Sequence, residues 1–91
     1  MTVTDNAAQH RFELEEQGKV TYARYRREDG LLTIAYVEAP PSLRGTGAAG
    51  RLMQGVMEKA REEGVKVLPL CSYAALWIRR HPEHHELLAR P

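Results

Sequence analysis

Hydrophobic and polar residues alternate along two stretches in the first third of the chain, residues 11–16 and 19–26. A period of two residues is typical of a strand with one buried face. A third stretch, residues 31–38, is the most apolar of the three and carries few charges. Gln17-Gly18 and Asp29-Gly30 separate the stretches and favour tight turns. The pattern predicts an antiparallel meander of three strands, with the third strand central in the sheet.

The next stretch, residues 47–63, places its apolar side chains with helical spacing. They form one stripe, which comprises Leu52, Met53, Val56, Met57 and Ala60. Gly64 follows directly and suits a left-handed C-terminal cap. Residues 65–70 are predicted as a fourth strand, and a helix between two strands predicts a right-handed crossover and parallel pairing. Pro69 has no N–H group, so this strand cannot be hydrogen-bonded fully along both edges, which suggests splaying.

Two further helices complete the predicted order. Ser72 is a suitable N-cap for a helix that ends near His81 and Pro82, and a short helix follows at residues 82–89. The order β-β-β-α-β-α-α predicts an α+β fold, an α/β sandwich with a four-stranded mixed sheet. A chain of 91 residues has room for one domain. We place this domain at residues 10–91 and interpret the polar residues 1–9 as a flexible N-terminal tail.

Charge and composition argue against several classes of partner. Lysine and arginine total 13, and aspartate and glutamate total 12. The formal net charge of +1 is too small to favour binding to nucleic acid or to an anionic membrane. No segment approaches the roughly 20 apolar residues of a membrane span, and the N-terminus lacks a signal-peptide pattern. We expect a cytoplasmic protein that binds neither nucleic acid nor membrane. The single cysteine, Cys71, rules out an intramolecular disulfide.

A glycine-rich segment joins the third predicted strand to the first predicted helix. Residues 40–51 read PPSLRGTGAAGR. The first turn of a helix has unpaired N–H donors and about half a positive charge from its aligned peptide dipoles. Such a turn suits a phosphate group. These considerations leave two interpretations open, a phosphate site and a purely structural connection between strand and helix.

The same segment resembles a known family. Arg44, Gly47 and Ala49 fit the Arg/Gln-x-x-Gly-x-Gly/Ala signature of the GNAT superfamily of N-acetyltransferases. Residues 36–40, 69–73 and 81–83 resemble its compact single-domain class, and the resemblance covers residues 12–88. It implies a GNAT-like fold with acetyl-CoA as co-substrate. It also implies the cofactor-binding residues, a pyrophosphate loop and the walls of a thioester channel: Arg44, Gly45, Thr46, Gly47, Ala48 and Ala49, with Val37, Cys71 and Trp77.

Acetyl transfer to an amine benefits from a base. A lysine-like amine is protonated at pH 7, and removing its proton costs about 4 to 5 kcal/mol. Glu38 ends the apolar strand beside the glycine-rich segment, and it matches a glutamate before proline in the compact class. Glu38 is therefore the candidate base. The alternative is an exposed acid at the end of a strand, without a catalytic role.

Two residues near the second predicted helix are further catalytic candidates. Cys71 precedes a helix N-terminus, where a thiolate is stabilised, and the compact class has cysteine at this position. Three roles stay open for it: nucleophile of an acyl-cysteine intermediate, small residue in the pantetheine channel, or buried apolar group. Direct attack by the amine is the usual superfamily mechanism. Tyr73 is a candidate acid for the departing thiolate.

Trp77 departs from the compact class, which often has tyrosine at this position. An indole N–H has no accessible acid chemistry, so Trp77 is interpreted as part of the core or as a wall against the cofactor. The departure weakens the assignment of a tyrosine acid to this helix.

Histidines near the C-terminus raise the question of a metal site. His81 and His85 are four residues apart, but Pro82 lies between them and no acidic pair has ligand spacing. We predict no metal, and a helix start with His84 and His85 on the surface. The basic and aromatic residues 22–27 divide between the two faces of a strand, which favours a solvated strand over a nucleic-acid surface.

The sequence therefore predicts an acetyl-CoA-dependent N-acetyltransferase. Its acceptor is a small-molecule or protein amine, and the protein is expected to be a monomer or weak dimer. Two alternatives come from other classes. One is a non-catalytic coenzyme A or acyl-CoA-binding module, which the small size and Trp77 would suit. The other is an interaction domain in which the glycine-rich segment is only structural.

Overall fold

A five-stranded sheet is the frame of the protein in a computed structural model that describes residues 2–89. Its strands lie in chain order, and all neighbours are antiparallel except the last pair, which is parallel. The strands are β1 (Thr4–Asn6), β2 (Arg11–Glu16), β3 (Lys19–Glu28), β4 (Leu31–Glu38) and β5 (Lys66–Pro69). The predicted meander and the predicted parallel crossover are confirmed.

Two α-helices complete this mixed α+β fold, α1 (Ala48–Glu63) and α2 (Ser72–Arg79). The buried residues of α1 are Ala48 together with all five residues of the predicted stripe. Three short 3₁₀ helices lie at Ala7–Gln9, Pro41–Leu43 and Pro82–Leu87. The last of these occupies most of the short helix predicted at residues 82–89. No helix within residues 2–89 has the length and apolar character needed to cross a membrane.

The predicted number of four strands is wrong, because β1 comes from the stretch interpreted as a tail. β1 pairs with β2, and Val3 just before it is buried in the core. The Tyr25 hydroxyl also donates a hydrogen bond to Asp5 Oδ1 at 2.5 Å. A strand of three residues is too short to show an alternation of apolar and polar side chains. Its place in the sheet depends on contacts with residues distant in sequence. Of the predicted boundaries, residues 1, 90 and 91 lie outside the described residues, and the division at residue 10 stays a prediction.

Strand pairing gives the sheet two different faces. One face packs against α1, and the buried side chains on it include Phe12, Leu14, Ala23, Tyr25, Leu32 and Ile34. The helices contact each other and contribute to the same core. The opposite face carries two cross-strand rows of partly or largely exposed side chains. We call these two rows the open face; it comprises Arg11, Arg24 and Tyr36 in one row, and Glu13, Tyr22 and Glu38 in the other.

A bulge in β4 determines which side chains the open face receives. Arg24 pairs with Tyr36, whereas Tyr25 pairs with Ile34, so Ala35 is an extra residue on β4. An extra residue shifts the following side chains by one position relative to the partner strand. As a result, Ile34 points into the core and Tyr36 lies on the open face two residues later.

Strands β4 and β5 separate after a short parallel ladder. The last pair is Ile34 with Pro69, and the amides of Leu70 and Cys71 both donate to Ile34 O, at 3.0 and 3.3 Å. The rest of β4 has no strand beside it on that edge within the described chain. The predicted splaying is present, but Pro69 does not cause it directly. The amides of Lys66 and Leu70 point towards β4, so the nitrogen of Pro69 points to the outer edge of β5.

Gly55 offers a test of whether the N-terminal segment packs against α1. A Cβ atom at residue 55 would lie 2.7 Å from Val3 Cβ, a severe overlap. In an unobstructed helix, alanine is more stable than glycine by about 1 kcal/mol. We expect Gly55→Ala to destabilise the protein, and the same change to stabilise a Val3→Gly variant. Urea unfolding of the four proteins measures both effects.

If Gly55→Ala stabilised the protein with Val3 present, this result would contradict the packing of the N-terminal segment against α1. The comparison does not depend on the absolute stability of either background, since each pair of proteins differs only at residue 55.

Candidate functional site

The turn between β4 and α1 leaves several backbone amides free. Gly47 precedes the helix in a left-handed conformation (φ 88°) that favours glycine. The first amide of α1 that donates a backbone hydrogen bond is that of Arg51, which donates to Gly47 O at 3.0 Å. The amides of the three preceding helical residues, 48–50, have no acceptor within residues 2–89. These donors, at the positive end of the helix dipole, form a site suited to an anion.

An ion pair with β2 holds this turn in place. Arg51 donates from Nε and Nη2 to the two oxygens of Glu16, at 2.8 and 3.0 Å, and from Nη1 to Thr46 O at 2.9 Å. The hydrogen bonds from Arg51 lower the pKa of Glu16. The sequence does not reveal this pair, because the two residues lie in different elements and carry no motif. Arg51 links the N-terminal turn of α1 to the end of a distant strand.

A cleft runs from this turn along the free part of β4. It comprises two adjoining cavities of about 320 and 230 Å³. Predicted site residues that line the cleft are Val37, Glu38, Arg44, Gly45, Gly47, Ala48, Ala49 and Tyr73. Ala39, Leu43 and Gly50 also line it and were not predicted. The structure therefore brings the end of the apolar strand, the glycine-rich turn and α2 to one place.

Glu38 and Arg44 form an ion pair at the mouth of the cleft. Arg44 Nη2 donates to Glu38 Oε2 at 3.0 Å, and Arg44 Nε donates to the carbonyl of Ala39 at 3.1 Å. Both side chains are exposed, 46% for Glu38 and 61% for Arg44. A solvated pair of this kind is weak, so either side chain can exchange its partner for a ligand.

Tyr73 faces the turn across the cleft and lines both cavities. A Cβ atom on Gly50 would lie 3.7 Å from the Tyr73 hydroxyl and 3.3 Å from Trp77 Nε1. The small residue at position 50 thus lets α2 approach the start of α1. Burial, and then the nearby Cys71, raise the pKa of Tyr73. Its hydroxyl accordingly stays protonated at neutral pH.

Cys71 and Trp77 lie beside the cleft but do not line either cavity. Cys71 is the N-cap residue of α2, half-buried and packed against the core. Trp77 is also half-buried, and its ring stacks on His81 with centroids 3.7 Å apart. The predicted cofactor-binding roles of both residues, and the catalytic role of Cys71, stay predictions.

The histidines are held by protein groups, and the prediction for one of them is wrong. His84 was predicted on the surface, but it is buried between α1 and the C-terminal turn, with Nε2 3.2 Å from Gln54 Oε1. His81 Nδ1 lies 2.6 Å from Trp77 O, and His85 Nε2 lies 3.0 Å from Ile78 O. Within residues 2–89 no three His, Cys, Asp or Glu side chains are grouped as metal ligands.

A separate cavity of about 350 Å³ lies between the N-terminal segment and α1. Its lining includes Val3, Gln54 and Glu58. It contains none of the free amides of the turn and no residue of β4, and its hydrogen-bond donors include the side chains of Arg51, Gln54 and Lys59. The cleft along β4 is therefore the candidate functional site.

The fold and cleft define a class of small α+β domains in which a strand, a glycine-rich turn and a helix border a splayed pair of parallel strands. Residues 11–87 match the model of the family described as GCN5-related N-acetyl-transferase. The chain belongs to this family, and the predicted superfamily is confirmed.

One solved structure supports the fold independently. It is the solution NMR structure of a GCN5-like protein from Staphylococcus aureus, to which this chain is similar. The TM-score is 0.75 at 20% sequence identity, and the alignment covers 98% of this chain and 88% of the other. No curated protein matches the sequence significantly. The predicted GNAT-like α+β fold is confirmed, with five strands in place of four.

The Glu16–Arg51 pair predicts a pH-dependent stability. Because folding lowers the pKa of Glu16, the pair stabilises the protein above the unfolded pKa of about 4.3 and ceases to do so as pH falls through the lowered value. We expect Glu16→Gln to lower Tm by about 2 to 4 °C at pH 7. The difference from the unmodified protein should shrink as the pH is lowered below that unfolded value. Thermal melts followed by circular dichroism measure it.

Glu15→Gln is the matched control, since Glu15 is the exposed neighbour on the same strand. A Tm difference for Glu16→Gln that is the same at pH 3 and pH 7 would show that the carboxylate charge does not hold the turn.

Proposed function

We propose that this protein is an acetyl-CoA-dependent N-acetyltransferase that transfers the acetyl group to an amine. The observation that carries the proposal is the convergence of free helix amides, the free edge of β4, Glu38 and Tyr73 at one cleft. Family membership supports the reaction class. The identity of the co-substrate and the roles of the residues are our inference from the cleft.

The turn fits the pyrophosphate of coenzyme A. A Cβ atom on Gly45 would meet no atom within 4 Å, so the space above the turn is open to a ligand. The amides of Gly45 and Gly47 and of residues 48–50 would donate to the phosphate oxygens. Ala48 takes part through its backbone only, because its side chain is buried in the core. The free edge of β4 offers backbone groups to the amides of the pantetheine arm.

The side chains of the cleft would handle the protons of the reaction. Acetyl-CoA supplies the thioester, whose C–S bond breaks as the C–N bond to the amine forms. Glu38 accepts the proton that the amine loses. Tyr73 lines the same cleft and would donate a proton to the departing sulfur. Both groups lie on the lining of the same cavity, which is what concerted proton handling requires.

Arg44 would exchange partners when the cofactor binds. Its guanidinium holds Glu38 and lies beside the turn, and both positions are exposed. Diphosphate carries more negative charge than one carboxylate, so it competes well for an arginine. Transfer of Arg44 to the phosphate would release the Glu38 carboxylate to serve as a base.

Direct transfer to the amine is favoured over an acyl-cysteine intermediate. Cys71 is half-buried against the core and lies outside the lining of both cavities. Within residues 2–89 its thiol has no hydrogen-bonded base of the kind that activates nucleophilic cysteines.

A non-catalytic acyl-CoA-binding module is the second candidate function. Trp77, at a position where the compact class often has tyrosine, is the observation in its favour. Tyr73 weakens this alternative, because a tyrosine hydroxyl does face the cleft from the same helix. A purely structural role for the turn would leave its free amides to solvent, as at other exposed helix N-termini, and the adjoining Glu38 and Tyr73 weigh against it.

Calorimetry with coenzyme A tests the binding site. We expect Gly47→Glu to weaken binding about 100-fold or more, since it places a carboxylate among the phosphate-binding amides. Gly64→Glu is the matched control. Gly64 has a similar left-handed conformation (φ 70°) at the other end of the same helix. Both variants strain the backbone and add one negative charge, but only the first alters the cleft.

Equal affinity of the two variants, or no binding of coenzyme A to the unmodified protein, would exclude the proposed site. Circular dichroism of both variants establishes that each is folded before the affinities are compared.

Release of free thiol from acetyl-CoA in the presence of an amine panel tests the catalytic roles. We expect Glu38→Gln to lower kcat by about 100-fold and Tyr73→Phe to lower it by about 10-fold. Cys71→Ala should retain most of the rate. Loss of activity in Cys71→Ala alone would favour the acyl-cysteine route, whereas intact binding without turnover for any amine would favour the binding module.

A further inference from the structure

Two tyrosines and an arginine form a compact cluster on the open face. The hydroxyls of Tyr22 and Tyr36 are 3.3 Å apart. The guanidinium of Arg24 lies over both rings, 5.7 Å from the centroid of Tyr22 and 5.9 Å from that of Tyr36. Arg11 also lies over the Tyr22 ring, 4.5 Å from its centroid. The rings and guanidinium groups therefore hold each other in fixed positions on an otherwise uncovered sheet face.

The charges of the open face leave one cation without a carboxylate. Arg11 pairs with Glu13 at 2.5 Å, and Glu38 pairs with Arg44. Within residues 2–89 Arg24 has no carboxylate partner, and its hydrogen bond to Gln9 O is long, at 3.4 Å. Arg24 thus presents a fixed positive charge that no protein group neutralises.

This cation lies next to the place where an acceptor amine would enter. Tyr36 and Glu38 follow the last β4–β5 pair, so they border the free edge of β4. Helices α1 and α2 pack on the core face of the sheet, and the open face is exposed. An amine therefore reaches the cleft from the open face. The rows of Arg24 and Glu38 are two residues apart along the strands, about 7 Å.

We propose that Tyr22, Arg24, Tyr36 and Glu38 form the acceptor site and that it takes a small primary amine bearing a carboxylate, as in an α-amino acid. The site rests on the proposed acetyl transfer. Arg24 binds the carboxylate with its planar pair of N–H donors, and Glu38 receives the amine. A spacing of about 7 Å between the two rows lets one small molecule reach both.

The two tyrosine hydroxyls are hydrogen-bonded to each other, and Arg24 lies over both rings. The hydrogen bond with Tyr22, and then the nearby Arg24, lower the pKa of Tyr36, while the same hydrogen bond raises the pKa of Tyr22. Either hydroxyl can donate the bond between them, so the pair can offer a donor or an acceptor to a bound molecule.

Charge also separates this class of acceptor from the other amines considered. A polyamine or a basic peptide brings a second cation within a few ångströms of Arg24, and like charges in contact are disfavoured. A simple alkylamine avoids the repulsion but leaves Arg24 without a counterion. Only an amine with its own anionic group satisfies both charges of the site.

Matched acceptors test this inference with coenzyme A present. The pairs are leucine with 3-methylbutylamine and phenylalanine with phenethylamine, which differ only by the carboxylate. We expect the amino acid to bind at least about 10-fold more tightly, as measured by NMR titration of the Tyr22 and Tyr36 ring signals. Arg24→Gln should remove this preference and bring the affinity ratio of each pair close to one.

Arg26→Gln is the control, because Arg26 lies two residues along the same strand and pairs with Glu28 instead. It should keep the preference. Arg24→Lys retains the charge without the planar donor pair, so it should restore part of the preference. Since the two members of a pair differ in the pKa of their amines, the decisive quantity is the change in their affinity ratio between the unmodified protein and Arg24→Gln.

An affinity ratio near one in the unmodified protein would overturn the inference, as would a ratio that Arg24→Gln leaves unchanged. Ring signals that do not move with either ligand would also overturn it. Such results leave acetyl transfer intact if plain amines are turned over. Failure of the proposed function is recognised separately, by the absence of coenzyme A binding in calorimetry.

Discussion

The carbonyl of Ile34 is the point on which the site depends. It accepts both the Leu70 and Cys71 amides, so β5 makes its last bonds to β4 there and turns into α2. Every residue of β4 beyond Ile34 then has a free edge on that side. The same turn brings Tyr73 opposite the start of α1. This shared acceptor thus ends the β4–β5 ladder, opens the cleft and positions Tyr73 on one side of it.

Much of this arrangement follows from local sequence patterns. The apolar stripe of α1, the strand periods and the glycine turn are short-range signals, and each predicted its element correctly. The splaying was predicted from Pro69, although the structure gives a different reason for it. Glu38, Tyr73 and the glycine-rich segment converge because strand, turn and helix follow one another in sequence. Such neighbours need no long-range information to be placed together.

The features that the sequence did not reveal all depend on partners far away in the chain. Strand β1 is stabilised through Val3 and Asp5 by residues at least twenty positions away or by α1. Arg51 meets Glu16 across 35 positions. His84 is buried because Gln54 and Trp77 approach it. Polar side chains of these kinds are common on protein surfaces, so the sequence pattern predicts that they are exposed to solvent.

The bulge at Ala35 determines which side chains of β4 face the core and which lie on the open face. Without the extra residue, strict alternation from Ile34 would place Tyr36 on the core face, against α1. With it, Ile34 stays in the core while Tyr36 and Glu38 join Arg24 and Tyr22 on the open face. The cleft and the proposed acceptor site can then share one strand without sharing side chains, apart from Glu38. Glu38 lies on both surfaces, which is the position that our proposal requires of a base between a thioester and an amine.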